Sequence, residues 1–403
     1  MSAVPKSKQE PAVTEAVVMQ RLEALVPKLR ERAAETEKLR KVPQATFDDV
    51  KATGFLSGFR TKHFGGPGLG LSALANGARI MAHGCGSSAW VMLFLAQHTW
   101  MFAKANLKLQ EELLGGEFPA MQAGALGKVG VAKRVPGGYR VTARTDWNTG
   151  VMNSTWVNCK AIIQSDDPNE DKRVMMCVFP IGDVVIEDIW HTAGARGTGS
   201  NILVANDVFV PEYRVQPSEE FLGAKAPSIH DGEPWAAYPF VPVATMTLAA
   251  LALGMAEASY EEFRNMMVGR TLAFSGGAKQ VEQPTSQMRL GEALGQLRMA
   301  QTIFHTTIKK IIDTCEPRGT LSTEDRVGVR LAGAQVVHAC RDLLNDTIMP
   351  NAGGGSYYLG AVLQRMQRDI EMLKGHALFD WDRVAMMAGK EALGIAPAPT
   401  DLL

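Results

Sequence analysis

Three signals that would point to a nucleic acid, a membrane or a disulfide scaffold are missing from this chain of 403 residues. Its 42 basic residues balance 42 acidic ones, so no net field favours nucleic acid or an anionic membrane. Five cysteines without paired CxxC spacing indicate neither a disulfide framework nor a metal site. The longest apolar run, residues 243–256, is shorter than the roughly 20 residues of a membrane span and predicts a buried core helix. Residues 1–14 lack the apolar segment of a signal peptide, so a cytoplasmic location is expected.

The hydrophobic period changes twice along the chain and predicts an α+β protein of three domains. Residues 15–118 carry apolar residues at helical spacing, which predicts an N-terminal α-helical domain. Residues 119–232 contain short β-branched segments separated by turn pairs, which predicts a central β-barrel or sandwich. Residues 233–395 return to helical periodicity and predict a C-terminal four-helix bundle. Strands are expected near residues 129–131, 139–143, 155–157, 174–179, 184–186 and 202–209, and the bundle helices at 247–268, 285–315, 323–344 and 362–389.

The most informative motif is residues 190–200, where a Gly-Thr-Gly-Ser run lies between two β-patterned segments. The backbone N–H groups of such a run, and the hydroxyls of Thr198 and Ser200, suit a polar ligand that approaches closely. A strand ending at Pro211 follows, and Arg368-Asp369 lies far downstream on a predicted helix. This order resembles the acyl-CoA dehydrogenase fold. Within that fold the chain is similar to two-component flavin-dependent monooxygenases (group D, oxygenase component), such as hydroxylases of the 4-hydroxyphenylacetate 3-monooxygenase type.

The resemblance implies a flavin between the β domain and the C-terminal bundle. Trp147 and Thr149 match the family's strand in which a hydroxyl-bearing residue before glycine faces the flavin ring. Thr198 and Ser200 are further candidates for contact with the flavin. A hydroxyl there holds a reactive group at the ring without acting as a strong base. From the residues alone, a Thr-Gly turn that closes a hairpin remains an alternative.

Three other segments resemble parts of the family that bind the flavin phosphate or its nucleotide half, often from a neighbouring subunit. Arg270 and Phe274 match an Arg–Phe–Gly loop, and a planar guanidinium suits paired phosphate oxygens. Gln287, one turn into the next helix, is an additional candidate. Gly354 and Gly355 match the glycine-rich segment before the last helix, although a flexible interhelical loop is the alternative interpretation.

The last predicted helix separates oxygenation from dehydrogenation. Acyl-CoA dehydrogenases carry a catalytic glutamate about two turns after the Arg-Asp pair, because a carboxylate must remove the α-proton of the substrate. Here His376 stands in that region, and Glu257, near the other base position of the family, is expected to face outward. His376 and His98 match two histidines that line the pocket of the hydroxylases, where an imidazole acts on the oxygenating species or on a phenol. Either histidine alone is more typical of a hydrogen-bonded core residue.

The resemblance therefore implies hydroxylation of a small aromatic or heteroaromatic substrate by reduced flavin and O2, through a C4a-hydroperoxide. The cofactor is expected to be reduced FMN or FAD, with FMN preferred, delivered by a separate NAD(P)H:flavin reductase. The chain is expected to form a homo-oligomer, a tetramer, and to bind no nucleic acid, membrane or metal. The alternatives are an acyl-CoA dehydrogenase, an N- or S-oxygenating relative, and a catalytically silent helical oligomer that binds a small ligand.

Overall fold

Helices make up the first part of the structure. A computed structural model describes residues 13–164, 173–223, 238–318, 320–398, 401 and 403. Before the sheet these residues form α1 (Glu15–Glu31), α2 (Ala33–Leu39), α3 (Gln44–Thr53), α4 (Leu71–Ala82), α5 (Gly86–Phe102) and α6 (Leu107–Leu114). Every residue of α5 except Phe94 is buried, because this helix is apolar on all sides. Helix α5 is therefore an interior helix that the other elements surround.

A mixed sheet follows. Its strands are β1 (Gln122–Val135), β2 (Gly138–Thr145), β3 (Trp156–Ile163), β4 (Val174–Pro180), β5 (Val185–Glu187), β6 (Ile202–Pro211) and β7 (Val215–Pro217). In the described chain they form one sheet in the order β5-β6-β2-β1-β3-β4-β7. Buried Val141 alternates with exposed Arg140 and Thr142 along β2, as expected of a strand with one solvent-facing side. All six predicted strands are present. The short strand β7 was missed, as was the parallel pairing of β1 with β3.

Helices return after the sheet with one break that the sequence pattern did not reveal. The bounds are α7 (Ser218–Leu222), α8 (Phe240–Gly269), α9 (Pro284–Arg318), α10 (Thr323–Asp342), α11 (Met349–Ala352), α12 (Val362–Lys374) and α13 (Trp381–Ala392). The prediction of one helix over 362–389 is wrong. Helix α12 stops before Gly375, and the side chain of Asp380 caps α13 by accepting the Arg383 N–H at 3.2 Å.

Helix α8 is the central helix of the C-terminal part. It is long and apolar enough to cross a membrane, but its apolar stretch is completely buried within the protein. The prediction of a buried core helix over residues 243–256 is therefore confirmed. Thr247 on α8 donates to Gln97 Oε1 on α5 at 3.2 Å, so these two buried helices are also joined by a polar contact.

The predicted boundary at residues 118/119 falls in the connection between α6 and β1. The boundary at 232/233 lies outside the described residues. The order of helices, sheet and helices is observed, whereas the division into three domains at these positions stays a prediction.

A first prediction concerns Gly194, which packs against the backbone of α12. A Cβ atom at this position would overlap the carbonyl oxygen of Arg368, and backbone cannot move aside as a side chain does. Gly194→Ala should therefore destabilise the protein by about 1–3 kcal/mol, the usual cost of overpacking. The measurement is the free energy of unfolding in urea.

Gly291→Ala in α9 is the matched control, because a Cβ atom there meets open space. This variant should be stabilised by up to about 1 kcal/mol, since alanine favours a helix interior over glycine. Equal stability of the two variants would show that the loop does not rest on α12.

Candidate active site

Three buried hydroxyls form a chain of hydrogen bonds beside the sheet. Thr149 Oγ1 lies 2.9 Å from Ser200 Oγ, which lies 2.8 Å from Thr198 Oγ1. Thr198 in turn donates to the carbonyl of Ala195 at 3.0 Å. Because the Thr198 proton is used in that bond, Ser200 donates to Thr198 and Thr149 donates to Ser200. The structure thus brings together three of the predicted site residues and leaves lone pairs of Thr149 Oγ1 free to accept a hydrogen bond.

Two asparagines that sequence reasoning missed hold this cluster in place. Asn148 donates through Nδ2 to the carbonyls of Thr145 and Asn201 at 2.8 and 3.0 Å. The side-chain oxygen of Asn201 accepts the N–H groups of Ile189 and Trp190 at 2.9 and 3.0 Å. Each asparagine directly adjoins a predicted site residue, which is the only sequence signal that could have found them.

Trp147 adopts an unusual conformation next to the hydroxyls. Its φ is +68°, a left-handed value that is uncommon for a large residue, and its side chain is 61% exposed. The ring meets Trp190 edge to face, with centroids 5.3 Å apart. A strained backbone that presents an aromatic ring to solvent is typical of a ligand-binding position.

Helix α12 fastens the loop that carries Thr198 and Ser200. Asp369 Oδ1 accepts the Ala195 N–H at 2.7 Å, and Arg368 Nη1 donates to the Ala193 carbonyl at 2.6 Å. Arg368 also pairs with Glu37 of α2 at 2.9 Å. Burial raises the pKa of Asp369 to about 6. The two sequence segments that first suggested the fold are therefore in direct contact.

His98 lies on α5, along the helix from the hydroxyl cluster. A Cβ atom at Gly150, next to Thr149, would lie 3.2 Å from Val91 of α5, and His98 follows Val91 by two turns. His98 Nδ1 lies 2.8 Å from the carbonyl oxygen of Gln122. Only an N–H pairs with a carbonyl, so Nδ1 carries the proton and Nε2 is an acceptor. Burial lowers the pKa of His98 to about 4, which keeps the ring neutral at pH 7.

His376 lies in the turn between α12 and α13, not on a helix. The expectation that it stands on the last helix is therefore wrong, because the helix ends at Lys374. Its Nδ1 accepts the Leu378 N–H at 3.2 Å, which leaves the proton on Nε2. Burial and the charge of Arg330 lower the pKa of His376 to about 4. The two imidazoles are thus both neutral, with Nε2 an acceptor in His98 and a donor in His376.

Arg270, which directly follows the last residue of α8, forms a second group with its neighbours. Arg270 Nη1 donates to the Ala352 carbonyl at 3.0 Å, and a Cβ atom at Gly353 would overlap the guanidinium. Gly354 and Gly355 follow in an exposed turn before α12. The predicted glycine segment and Arg270 are therefore adjacent.

Phe274 and Gln287 belong to the same end of the molecule but differ in their surroundings. Thr271 and Lys279 pair across the loop, and Phe274 lies between them with a φ of +56° and a completely exposed ring. Gln287 is exposed on α9 and donates to the Val281 carbonyl at 3.0 Å. Helix α12 separates this group from the hydroxyl cluster, because the glycines precede its first residue and Asp369 lies about 10 Å further along.

Glu257, the carboxylate nearest the alternative base position, is buried, so the expectation that it faces outward is wrong. It accepts hydrogen bonds from Arg79, His83 and Gln301 at 2.7, 2.8 and 2.7 Å. Burial alone would raise the pKa of Glu257, but the His83 hydrogen bond and the Arg79 charge lower it to about 2. A carboxylate held this way is a poor base. Within the described ranges no group of three or more His, Cys, Asp or Glu side chains is placed to hold a metal ion.

Comparisons with known proteins show the family of the chain. Residues 246–381 match the family described as acyl-CoA dehydrogenase, C-terminal domain. The chain is 30% identical over 388 residues to a pigment production hydroxylase of Rhodococcus sp. (strain ATCC 21145), covering 95% of this chain and 98% of the relative. It is 28% identical to a flavin-dependent monooxygenase oxygenase subunit of Rhodococcus jostii (strain RHA1), covering 94% and 98% of the two chains. The solved 3-HSA hydroxylase from Rhodococcus sp. RHA1 superposes with a TM-score of 0.88 at 27% identity, over 96% of this chain and 99% of that one.

The chain belongs to the two-component flavin-dependent monooxygenases, as an oxygenase component with the acyl-CoA dehydrogenase fold. The predicted fold class and enzyme class are confirmed. A further relative, 27% identical, is described as an FADH(2)-dependent resorcinol hydroxylase, oxygenase component, of Rhizobium sp. (strain MTP-10005). The roles of the individual site residues stay predictions.

A second prediction follows from the two neutral imidazoles. The unfolded chain binds protons on histidine near pH 6.5, whereas the folded protein binds them on His98 and His376 only near pH 4. Their contribution to stability is therefore complete above about pH 6.5 and is lost as the pH falls towards 4. Each histidine should add a slope of up to about 1.4 kcal/mol per pH unit in that window. The measurement is urea unfolding between pH 4.5 and 7.5.

Comparison with the His98→Gln variant isolates the effect of one imidazole on stability. Asp369, whose pKa is raised, contributes a slope of opposite sign between about pH 4 and 6, but it does so in both proteins and cancels in the comparison. The wild type should lose stability more steeply on acidification than the variant. Parallel curves would mean that His98 does not stay neutral in the fold.

Proposed function

We propose that this enzyme hydroxylates a small aromatic or heteroaromatic substrate, with reduced FMN or FAD delivered by a separate NAD(P)H:flavin reductase. The observation that carries the proposal is that His98 and His376 are both neutral and have opposite hydrogen-bonding roles. Glu257, the carboxylate near the alternative base position of the family, is already ion-paired with Arg79. Hydroxylation of a phenol needs an acceptor for the substrate proton and a donor to the oxygenating group. Removal of an α-proton, as in a dehydrogenase, would need a free carboxylate.

The residues present fit a reduced flavin. When bound, the flavin supplies the activation of O2. Thr149 Oγ1, with its free lone pairs, would accept an N–H of the reduced ring, and Trp147 would cover the ring edge. Arg270 would meet the phosphate, and the lack of side chains at Gly354 and Gly355 would let the backbone approach it. His98 Nε2 would accept the substrate proton, and His376 Nε2–H would hold a developing negative charge.

We further propose that the chain acts as a homotetramer in the cytoplasm. The flavin residues fall into two groups separated along α12. Phe274 of the second group and Tyr358, which follows its two glycines, are both exposed to solvent. Large exposed apolar side chains beside a half-formed site support an interface through which one protomer completes the site of another. The five cysteines are free and buried, which suits a reducing compartment.

A third prediction tests the imidazoles. His376→Ala and His98→Ala should each lower the rate of product formation by about 10²–10⁴-fold, the usual value of acid–base assistance. Reduced flavin should still consume O2, and hydrogen peroxide should replace the hydroxylated product. The measurement is the ratio of peroxide to product per O2 consumed, with candidate phenols and indoles as substrates.

His305→Ala is the matched control, because His305 is exposed on α9 and should leave the ratio unchanged. Normal coupling in the His376 variant would remove it from the site. If the wild type, supplied with reduced flavin and O2, formed no hydroxylated product from the candidate phenols and indoles, the proposed function itself would fail.

A fourth prediction concerns the phosphate. Arg270→Ala should weaken binding of reduced flavin by about 1.5–3 kcal/mol, the range for hydrogen bonds to charged groups. Arg270→Lys should recover only part of this loss, since an ammonium lacks the paired donors of a guanidinium. Arg289→Ala, which removes an exposed arginine paired with Glu292, is the control and should bind flavin normally. An unchanged dissociation constant for Arg270→Ala, measured by anaerobic titration, would exclude the residue from the site.

A further inference from the structure

Gln122 is a buried side chain whose hydrogen-bonding groups are unused. It is completely inaccessible to solvent, and neither Nε2 nor Oε1 has a partner among the described residues. A buried unpaired amide costs about 1–3 kcal/mol per group, so such a residue is normally replaced by an apolar one unless it serves a ligand. The backbone carbonyl oxygen of Gln122 accepts the Nδ1–H of His98 at 2.8 Å. The residue that carries the unpaired amide therefore also orients a proposed catalytic group.

Asn158 lies on the same face of the sheet. Gly124 pairs with Asn158 across the parallel strands β1 and β3, and Gln122 precedes Gly124 by two residues, so all three share a face. Asn158 Nδ2 donates to the Ala123 carbonyl at 3.3 Å, which fixes the amide orientation and leaves the buried Oδ1 without a partner in the described structure. A Cβ atom at Gly124 would overlap this amide. Glycine is therefore required for the two amides to share the face.

The helix opposite supplies an aromatic wall. Trp90, Phe94 and His98 follow each other at four-residue spacing and so line one stripe of α5. Phe94 meets His98 edge to face at 6.0 Å, and the indole N–H of Trp90 is buried with no partner among the described residues. Such a stripe suits the faces and edges of an aromatic ring.

We infer that Gln122 and Asn158 form the polar end of the substrate pocket and select neutral aromatic compounds that carry a hydrogen-donating group, a phenol hydroxyl or a ring N–H. This inference rests on the proposed function. The groups on offer are three acceptors, Gln122 Oε1, Asn158 Oδ1 and His98 Nε2, and two donors, Gln122 Nε2 and the indole N–H of Trp90. A phenol satisfies both kinds at once. A carboxylate would face three lone pairs and lose its hydration without a partner charge.

Lys160 is a cation near this face and defines the outcome that would overturn neutral selectivity. Lys160 follows Asn158 by two residues on β3, about 7 Å along the strand, and is partly exposed. A substrate whose carboxylate reached Lys160 would bind tightly despite the acceptors. Benzoate and 4-hydroxyphenylacetate are therefore included among the probes, beside phenol, indole and toluene.

The experiment compares Gln122→Met with the wild-type full chain. Methionine matches the length of glutamine but cannot form its hydrogen bonds, so the melting temperature should stay the same or rise while phenol and indole bind about 10-fold more weakly. Toluene should bind both proteins equally. Dissociation constants come from calorimetric competition, which needs no turnover and is read separately from flavin-dependent O2 consumption. Absence of hydroxylated product with intact phenol selectivity in binding would count against the proposed function alone.

Gln97→Met is the matched control. Gln97 is also buried, on α5 next to His98, but its Oε1 already accepts from Thr247, so this variant should be less stable with an unchanged ratio of phenol to toluene binding. The inference is overturned if Gln122→Met leaves that ratio unchanged, if benzoate binds the wild type more tightly than phenol, or if the wild type binds neither phenol nor indole. Gln122→Glu provides a second test. The added carboxylate should weaken benzoate binding further, whereas phenol should still bind, because its hydroxyl can donate to that carboxylate.

Discussion

The site depends first on the contact between α12 and the loop at residues 193–195. Asp369, fully buried, accepts the N–H of Ala195, a residue held in the left-handed region at a φ of +49°. A carboxylate out of water is costly unless it is hydrogen-bonded, so this contact is strongly coupled to the loop conformation. Arg368 completes the contact by bonding Ala193 and Glu37, which joins α2, the loop and α12. The hydroxyls of Thr198 and Ser200 take their positions from it.

The second constraint is that the side chains to which the chemistry is assigned are themselves uncharged. The hydroxyl cluster is uncharged, and burial keeps both imidazoles neutral at pH 7. In such surroundings a hydrogen bond is stronger than in water, and an unpaired polar group is correspondingly costly. The same physics explains why Glu257 needs three partners, and why the amide of Gln122, with both its nitrogen and its oxygen unpaired among the described residues, is costly to keep.

Sequence reasoning succeeded where local pattern and local structure agree. The strand segment 139–143 alternates visibly between buried and exposed residues, residues 202–209 are rich in β-branched and aromatic residues, and the Gly-Thr-Gly-Ser run marks its own loop. The errors lie where long-range contacts decide. The break after Lys374 is not visible as a change of period, because Gly375 is the only strong breaker there, and the turn is held by Arg330 of a distant helix through the Leu378 carbonyl at 3.1 Å. The burial of Glu257 likewise depends on α4 and α9, which no local pattern reports.

The separation of the two groups along α12 follows from the fold itself. Helix α12 begins after the glycine turn, and its rise of 1.5 Å per residue places Asp369, which makes the loop contact, about 10 Å along the helix from its first residue. A flavin is long enough to need a ring site and a phosphate site, but Arg270 is tied to Ala352 at the glycine end, and the hydroxyls are tied to Asp369 at the other. Neither group can move towards the other without breaking these bonds. The exposed Phe274 beside Arg270 fits the proposed homo-oligomer, because a site assembled from two copies would need an apolar side chain that reaches out of one copy and is buried only in the other.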